Sequence, residues 1–202
     1  MLNREASSAR SRPEGILEEL HIREGLAIAD IGSGGGYFTL AFARRTGKTG
    51  RIYAVDVKKK YLDFIRRRSE RAGFENIIFV LAGETALDLP KAGLDLVFAR
   101  NVFHHLHEPA NYFADLYQHL KPGGRVAIIE HKKKGFGFVS LFGHHTSRDA
   151  IVSAMEKAGY SEVRSFDFLQ DQTFTLFAKK EQADFKQKKF EAAGGGKATS
   201  WL

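Results

Sequence analysis

Short apolar runs alternate with longer amphipathic segments along most of this 202-residue chain. The runs "GLAIADIG", "RIYAVDV", "NIIFVLA", "LDLVFAR" and "RVAIIEH" have the length and composition of buried strands. The segment "PEGILEELHI", which precedes the first run, is a predicted helix with proline in its first turn. Between the runs, segments such as "YFTLAFARRTG" and "KKYLDFIRRRSERAG" are typical of helices that end at glycine. This alternation predicts an α/β fold, with a parallel sheet and helices on both of its faces.

The last part of the pattern departs from this alternation. "EPANYFADLYQHL", ended by "KPGG", and "SRDAIVSAMEKAG", capped by Ser147 and stopped by Gly159, are predicted helices. The strands "YSEVRSFDFL" and "TFTLFAKK" then follow with only "QDQ" between them, which is too short for a parallel crossover. We therefore expect a doubly wound, seven-stranded, mainly parallel sheet with one antiparallel C-terminal strand.

Polar segments flank the predicted domain. Residues 1–13 are expected to be a flexible N-terminal arm, residues 14–180 the folded domain, and residues 181–202 a polar, glycine-rich tail. The arm lacks the apolar core of a secretory signal, and no apolar run approaches the roughly 20 residues of a membrane helix. The chain has no cysteine, which excludes disulfides, thiolate metal sites and cysteine nucleophiles. These features predict a cytoplasmic domain.

The chain is basic, with a formal net charge of +7. Much of this charge lies in "KKKYLDFIRRRSERAG", and a smaller cluster lies at Lys132, Lys133 and Lys134. Such clusters can bind nucleic acid or anionic surfaces, but most are solvated helix faces. Arg66 to Arg68 point in different directions on a helix, which favours the second interpretation and leaves a nucleic-acid partner open.

The first predicted turn is unusually rich in glycine. In "IADIGSGGGYF", Gly32, Gly34 and Gly36 follow the acidic Asp30 and precede a helix. Glycine permits positive φ and lets a ligand lie against the backbone, and the free N–H groups at a helix start attract anionic groups. In an α/β sheet this turn lies at the carboxyl edge, where ligands bind.

A second acidic residue, Asp56, ends the next predicted strand 20 residues after Gly36. A carboxylate at this position can accept hydrogen bonds from both hydroxyl groups of a ribose, and it disfavours a 2′-phosphate. The glycines and Asp56 serve a nicotinamide dinucleotide and S-adenosylmethionine equally well.

The chain as a whole resembles the class I S-adenosylmethionine-dependent methyltransferases. The segments "IADIGSGGGYF", "IYAVDV", "LAGETALDLP", "LDLVFARNVFHHL" and "LKPGGRVAII" occur in the family's order over about residues 14–180. The chain is most similar to the small-molecule group that includes the ubiquinone/menaquinone C-methyltransferases. The resemblance implies a Rossmann-like sheet, with S-adenosylmethionine as cofactor and S-adenosylhomocysteine as product.

The resemblance also implies which residues bind this cofactor. Asp30 would lie near the methionine amino group, Asp56 would hold the ribose hydroxyls, and Val57 would lie against the adenine. Glu84 stands where the family usually has aspartate, so its contact with the adenine amine has an altered geometry. The full implied set is Asp30, Gly32, Ser33, Gly34, Gly36, Tyr37, Asp56, Val57, Gly83, Glu84, Thr85, Arg100 and Asn101.

Methyl transfer needs mainly alignment from the protein, and a base only when the acceptor must lose a proton. The loop "EHKKKGFGFVSLFGHHTS" mixes histidines with glycines and phenylalanines, as in a pocket wall for an apolar acceptor. We take His131 and His144 from it as candidate bases. A small-molecule acceptor is expected, no metal is expected, and a second copy of the chain could close an open substrate side.

Three other functions are weighed against this one. An RNA methyltransferase would use the basic helix, and a non-catalytic module would bind the nucleoside without reaction. A short-chain dehydrogenase would use Tyr117 and Lys121, but "PGG" follows Lys121 directly, whereas such a pair needs a long helix. Adjacent side chains diverge, so His104 and His105 are poor partners for one metal ion.

Overall fold

The computed structural model of the protein describes residue 6 and residues 8–83, 87–132 and 146–180. These residues contain five α-helices, seven strands and two short 3₁₀ helices at Ala9–Ser11 and Phe103–His105. The helices are α1 (Pro13–Glu19), α2 (Tyr37–Thr46), α3 (Lys59–Arg71), α4 (Pro109–Tyr117) and α5 (Arg148–Lys157). The strands are β1 (Ala27–Ile31), β2 (Arg51–Asp56), β3 (Ile77–Leu81), β4 (Leu94–Arg100), β5 (Leu120–His131), β6 (Tyr160–Phe166) and β7 (Gln172–Lys179).

The strands form one sheet in the order β3-β2-β1-β4-β5-β7-β6. The pairs among β1 to β5 are parallel. Strand β7 is antiparallel to both of its neighbours, β5 and β6. The predicted hairpin and the predicted mainly parallel, seven-stranded sheet are therefore confirmed.

Helices cover both faces of the sheet, as expected. On one face, α1 and α2 pack against the side chains that β1, β4 and β5 direct to that side, and Leu62 and Ile65 of α3 pack on Ala54. On the other face, Phe113 and Leu116 of α4 lie in the same core cluster as α5. Because strand side chains alternate, the side chains of consecutive residues at a strand end point to opposite faces of the sheet.

The predicted start of α5 is confirmed, because the Ser147 side chain accepts a hydrogen bond from the Ala150 N–H at 3.2 Å. The predicted stop at Gly159 is also present, with φ of +89°. The Ser147 cap satisfies a backbone N–H group that the first turn of a helix otherwise leaves without a partner.

The prediction that "KPGG" separates a helix from a strand is wrong. Helix α4 ends at Tyr117, and β5 already begins at Leu120, which pairs with Leu94. The register shifts between Leu94 and Leu96, so that Leu96 pairs with Arg125, and the intervening residues form an irregularity inside the strand. Burial of Leu120 in the core places the strand start here.

The N-terminal segments differ in extent from the sequence expectation. Helix α1 stops at Glu19, and His21 has φ of +50°, which ends the predicted helical run "PEGILEELHI" early. Within the segment 1–13, predicted to be a flexible arm, Ala9–Ser11 form a 3₁₀ helix and the Ser11 side chain is buried.

Candidate functional site

The candidate site lies at the carboxyl ends of β1, β2 and β4. Strand β1 lies between β2 and β4, so the connections after β1 and β4 leave the sheet in opposite directions and open a crevice. One cavity of about 140 Å³ and a second of about 970 Å³ open at this crevice. Gly32, Gly34 and Asn101 line both cavities, which are therefore neighbours along the glycine turn.

Glycine is required at the three positions of this turn for different structural reasons. Gly32, Gly34 and Gly36 all have positive φ, at +66°, +51° and +74°. A Cβ on Gly32 would lie 2.3 Å from Cγ2 of Val102, and one on Gly36 would lie 2.6 Å from Cγ1 of Ile65. A Cβ on Gly34 would meet nothing closer than 3.7 Å. Gly34 thus leaves open space at the cavities, whereas Gly36 permits α2 to start close to α3.

Asp56 holds the glycine turn in place. Its Oδ2 accepts a hydrogen bond from the Gly34 N–H at 2.9 Å, and its Oδ1 accepts one from the Lys58 N–H at 2.9 Å. The residue is buried, and it lines the larger cavity. Since a carboxylate oxygen can accept two hydrogen bonds, each oxygen retains capacity for a ligand hydroxyl group.

Asp30 lines the smaller cavity, and its side chain is buried. Its Oδ2 accepts a hydrogen bond from the Thr39 hydroxyl at 2.5 Å. Burial raises the pKa of Asp30 to about 7, and the nearby Asp56 carboxylate acts in the same direction, although the bond from Thr39 opposes it. The adjacent Ser33 Oγ is buried and has no hydrogen-bond partner within the described part of the chain. An unsatisfied hydroxyl group beside a buried acid fits a polar ligand group in this cavity.

The ends of β4 and β7 are joined above the same cavity. Arg100 Nη2 donates to Ser11 Oγ at 3.1 Å and to Gln172 Oε1 at 3.0 Å. Gln172 Nε2 in turn donates to Asn101 Oδ1 at 2.7 Å. Asn101 has φ of +56°, a conformation that is uncommon for a side-chain-bearing residue and is often found at functional sites.

A buried carboxylate that sequence reasoning did not select lies at the end of β5. Glu130 is fully buried, and its Oε1 accepts from the Phe103 N–H at 2.7 Å. Its Oε2 lies 2.8 Å from Nδ1 of His104, whose ring contacts that of His105 with centroids 4.0 Å apart. His105 lines the larger cavity. A polar residue within the apolar strand "RVAIIEH" is the signal that could have identified Glu130.

The structure brings together most of the predicted cofactor residues. Gly32, Gly34 and Asn101 line both cavities; Asp30, Ser33, Tyr37 and Arg100 line the smaller one; Asp56, Val57 and Gly83 line the larger one. Gly36 and His131 line neither cavity. His131 is the last residue of β5, where it pairs with Gln172. The predicted residues Glu84, Thr85 and His144 lie outside the described residues.

The larger cavity has further lining that the sequence did not indicate, including Lys58, Tyr61, Val102 and His105. Gly35 is a similar addition to the smaller cavity. Short-range motifs do not reveal these residues, because they reach the site from α3 and from the segment after β4.

The described residues do not provide the side-chain arrangement of a short-chain dehydrogenase or of a metal site. Tyr117 ends α4, whereas Lys121 lies in β5 and its Nζ pairs with Asp95 at 2.7 Å. The two therefore do not form a dehydrogenase pair on one helix. Among the residues that the structure describes, no group of three or more His, Asp or Glu side chains could hold a metal ion. None of the described helices is both long and apolar enough to span a bilayer.

Comparison with known proteins agrees with this architecture. A family model described as a methyltransferase domain matches residues 28–124. The ubiquinone/menaquinone biosynthesis C-methyltransferase UbiE of Hydrogenovibrio crunogenus is 31% identical over 113 residues, which cover 55% of this chain and 44% of that protein. The chain thus aligns with less than half of this relative.

Solved structures extend the similarity over most of the fold. A SAM-dependent methyltransferase from Aquifex aeolicus superposes with a TM-score of 0.73 and 25% identity, covering 82% of this chain and 88% of that one. The [4+2]-cyclase SpnF has a TM-score of 0.71 at 16% identity, covering 85% of this chain and 81% of that one, which shows a shared fold alone. This chain therefore has the fold of the S-adenosylmethionine-dependent methyltransferases, matches a methyltransferase domain over residues 28–124, and resembles the ubiquinone/menaquinone C-methyltransferases.

Proposed function

We propose that the chain transfers a methyl group from S-adenosylmethionine to a small-molecule acceptor. The observation that carries this proposal is the buried Asp56 carboxylate, which lines the larger cavity and is fixed by the N–H groups of Lys58 and of Gly34, a residue that lines both cavities. The relatives named as ubiquinone/menaquinone C-methyltransferases favour a ring carbon of a quinone precursor as the acceptor.

The residues present fit this cofactor. The unpartnered Ser33 Oγ and the Asp30 carboxyl offer polar contacts to a methionine group in the smaller cavity. Asp56 would accept from the ribose hydroxyls, while Val57 and Gly83 would border the adenine in the larger cavity. The open space at Gly34 lets the ligand approach the backbone.

When bound, S-adenosylmethionine supplies an activated methyl group on a sulfonium. The chain's own residues bind and orient the two reactants, since holding groups in contact can lower a barrier by several kcal/mol, up to about 7–11 kcal/mol in favourable cases. Arg100 and Asn101, held by Gln172, would fix the edge of the site where acceptor and donor meet. His131 and His144 remain predicted bases, and the imidazoles of His105 and His119 are among the groups that line the larger cavity.

Titration calorimetry with S-adenosylhomocysteine tests the binding part of the proposal. We expect the wild type to bind it, and Asp56→Ala to lose at least about 1.5 kcal/mol, roughly tenfold, because a charge-assisted hydrogen bond is removed. Asp149→Ala, which removes an exposed carboxylate from α5, is the control and should bind as the wild type does. Tighter binding of NAD than of S-adenosylhomocysteine would overturn the proposal.

A methyl-transfer assay separates the remaining functions. With methyl-labelled S-adenosylmethionine, we expect label to enter phenolic or quinol ring compounds and not RNA. Label in RNA would favour an RNA methyltransferase. Binding without transfer to any acceptor would favour a non-catalytic module, and SpnF shows that this fold also serves a cyclase.

A further inference from the structure

The outer face of α3 carries a continuous basic stripe. Lys60, Phe64, Arg67 and Arg71 follow the helical spacing i, i+4, i+7 and i+11, and all four are exposed. The opposite side of the helix buries Leu62, Ile65 and Ser69. Helical spacing, not the consecutive arginine triplet, therefore brings the charges into one line.

Exposed apolar side chains lie on the same edge of the molecule. Of the five exposed large hydrophobic residues in the described ranges, four lie on α3, on β3 or directly after β2: Val57, Phe64, Ile78 and Leu81. Val57 is 69% exposed and Leu81 is 56% exposed. Leu81 pairs with Asp56 in the sheet, so Leu81 and Val57, which follows Asp56, both lie where the edge strand β3 and its neighbour β2 end.

We propose that this region docks on an anionic lipid surface. The α3 surface comprises Val57, Lys60, Phe64, Arg67, Arg71 and Leu81. Its arginines and lysine complement the negative charge of phospholipid headgroups, and its exposed apolar groups can enter the boundary between headgroups and acyl chains. Clustered Lys and Arg on an amphipathic helix are typical of such peripheral attachment.

The aromatic rings in this region favour lipid over nucleic acid. The Arg66 guanidinium lies 4.2 Å from the centre of the Phe79 ring, and that of Arg68 lies 5.8 Å from the centre of Phe64. Lys58 and Lys60 lie within 5.5 Å of the Tyr61 ring centre. Cations thus already cover ring faces on which bases would stack, whereas the aliphatic Val57 and Leu81 offer nothing for base recognition.

The α3 surface also borders the larger cavity. Val57 belongs to both, and the neighbouring Lys58 and Tyr61 line the cavity. Docking through α3 would therefore bring the opening of the candidate site close to the lipid surface. The charges and exposed side chains of this edge fit a lipid surface whether or not the chain transfers a methyl group.

Vesicle flotation tests the proposal with the full chain. We expect binding to phosphatidylcholine vesicles that contain phosphatidylglycerol, weak binding to pure phosphatidylcholine, and release at high salt. Each basic residue close to the lipid contributes roughly fivefold, so Arg67→Glu/Arg71→Glu should weaken binding by at least about 25-fold. Phe64→Ser/Leu81→Ser should weaken binding to the same vesicles with the salt dependence unchanged.

A matched variant controls for net charge. Lys91→Glu/Lys157→Glu makes the same change in charge at exposed positions outside the α3 surface, and it should bind vesicles as the wild type does. Circular dichroism should show wild-type melting for all variants, and their titration with S-adenosylhomocysteine should be unchanged. The proposal fails if the control variant loses as much vesicle binding as the α3 variant, if pure phosphatidylcholine binds equally well, or if single-stranded RNA competes the protein off the vesicles.

Discussion

The two acids of the site have different environments, and this difference makes Asp30 sensitive to pH. Asp56 accepts two backbone N–H bonds, whereas burial raises the pKa of Asp30 to about 7. A positively charged ligand group beside Asp30 would favour its ionised form. Binding in the proposed methionine cavity and loss of the Asp30 proton are therefore coupled.

Because the pKa of Asp30 is raised in the folded state, we expect the stability of the protein to fall as the pH rises. Between about pH 4 and pH 7 the folded state keeps a proton on Asp30 that the unfolded state has lost, so the free energy of unfolding decreases through this range, by an amount on the order of 4 kcal/mol for the full shift. We expect urea unfolding of Asp30→Asn, which cannot ionise, to lack this component of the decrease.

Asp63 provides the control for this experiment. Its pKa is lowered by the hydrogen bond from Lys59, so its titration lies below the relevant range. Asp63→Asn should therefore keep the wild-type slope of stability between about pH 5 and pH 7, a range that lies above the titration of Asp63 and within that of Asp30. Equal slopes for Asp30→Asn and the wild type would contradict the assignment.

Gly36 and Gly34 have separable roles within one turn. The Cβ of Gly36→Ala would collide with Ile65, and we expect the free energy of unfolding to fall by about 1–3 kcal/mol through overpacking, in addition to backbone strain. Truncation at Ile65 should relieve the collision. Gly36→Ala/Ile65→Ala should thus be more stable than the sum of the two single changes implies, by chemical denaturation.

Gly34→Ala is the comparison for that cycle. It meets open space, so its cost in stability should be the left-handed backbone alone, about 1–2 kcal/mol, and Ile65→Ala should not rescue it. Additivity in both double variants would argue against a packing role for Gly36.

Among the elements, the 3₁₀ helix Phe103–His105 depends on β5 for its position. Glu130 is fully buried; its Oε1 accepts from the Phe103 N–H, and its Oε2 lies 2.8 Å from Nδ1 of His104. The strand end thereby fixes the segment that presents His105 to the larger cavity.

Loss of this connection should be costly. Glu130→Ala removes the acceptor of the buried Phe103 N–H and the 2.8 Å contact with Nδ1 of His104, and we expect the free energy of unfolding to fall by about 1–3 kcal/mol. Glu162→Ala breaks the more exposed pair with Arg148, so it should cost about 1 kcal/mol or less. Thermal or urea unfolding of both variants measures the difference, and equal losses would show that Glu130 does not anchor the segment.

For the whole molecule, the sheet order decides where ligands and surfaces lie. The crevice beside β1 collects the ends of β1, β2 and β4, which are far apart in sequence. The basic stripe of α3 lies on one face of the sheet, whereas α4 and α5 cover the other. The α3 surface can therefore contact an anionic lipid surface while α4 and α5, on the opposite face of the sheet, point away from it.

Much of this architecture could be predicted because it depends on local patterns. Apolar runs and helix periodicity indicated seven strands and five helices, and the short "QDQ" segment indicated the antiparallel hairpin. The boundary at Leu120 was wrong, because pairing with Leu94 and burial in the core outweigh the turn preference of "KPGG". Tertiary packing decides such boundaries.

The sequence by itself determined the order of strands and helices, the glycine turn, and the acidic residues Asp30 and Asp56 at strand ends. Residue type and spacing encode these features, because each depends on neighbours within a few positions. Only the tertiary structure decided that Gly36 packs on Ile65 and that Glu130 anchors His104. These contacts join residues 26 to 29 positions apart, and the folding of the sheet, not the local sequence, brings them together.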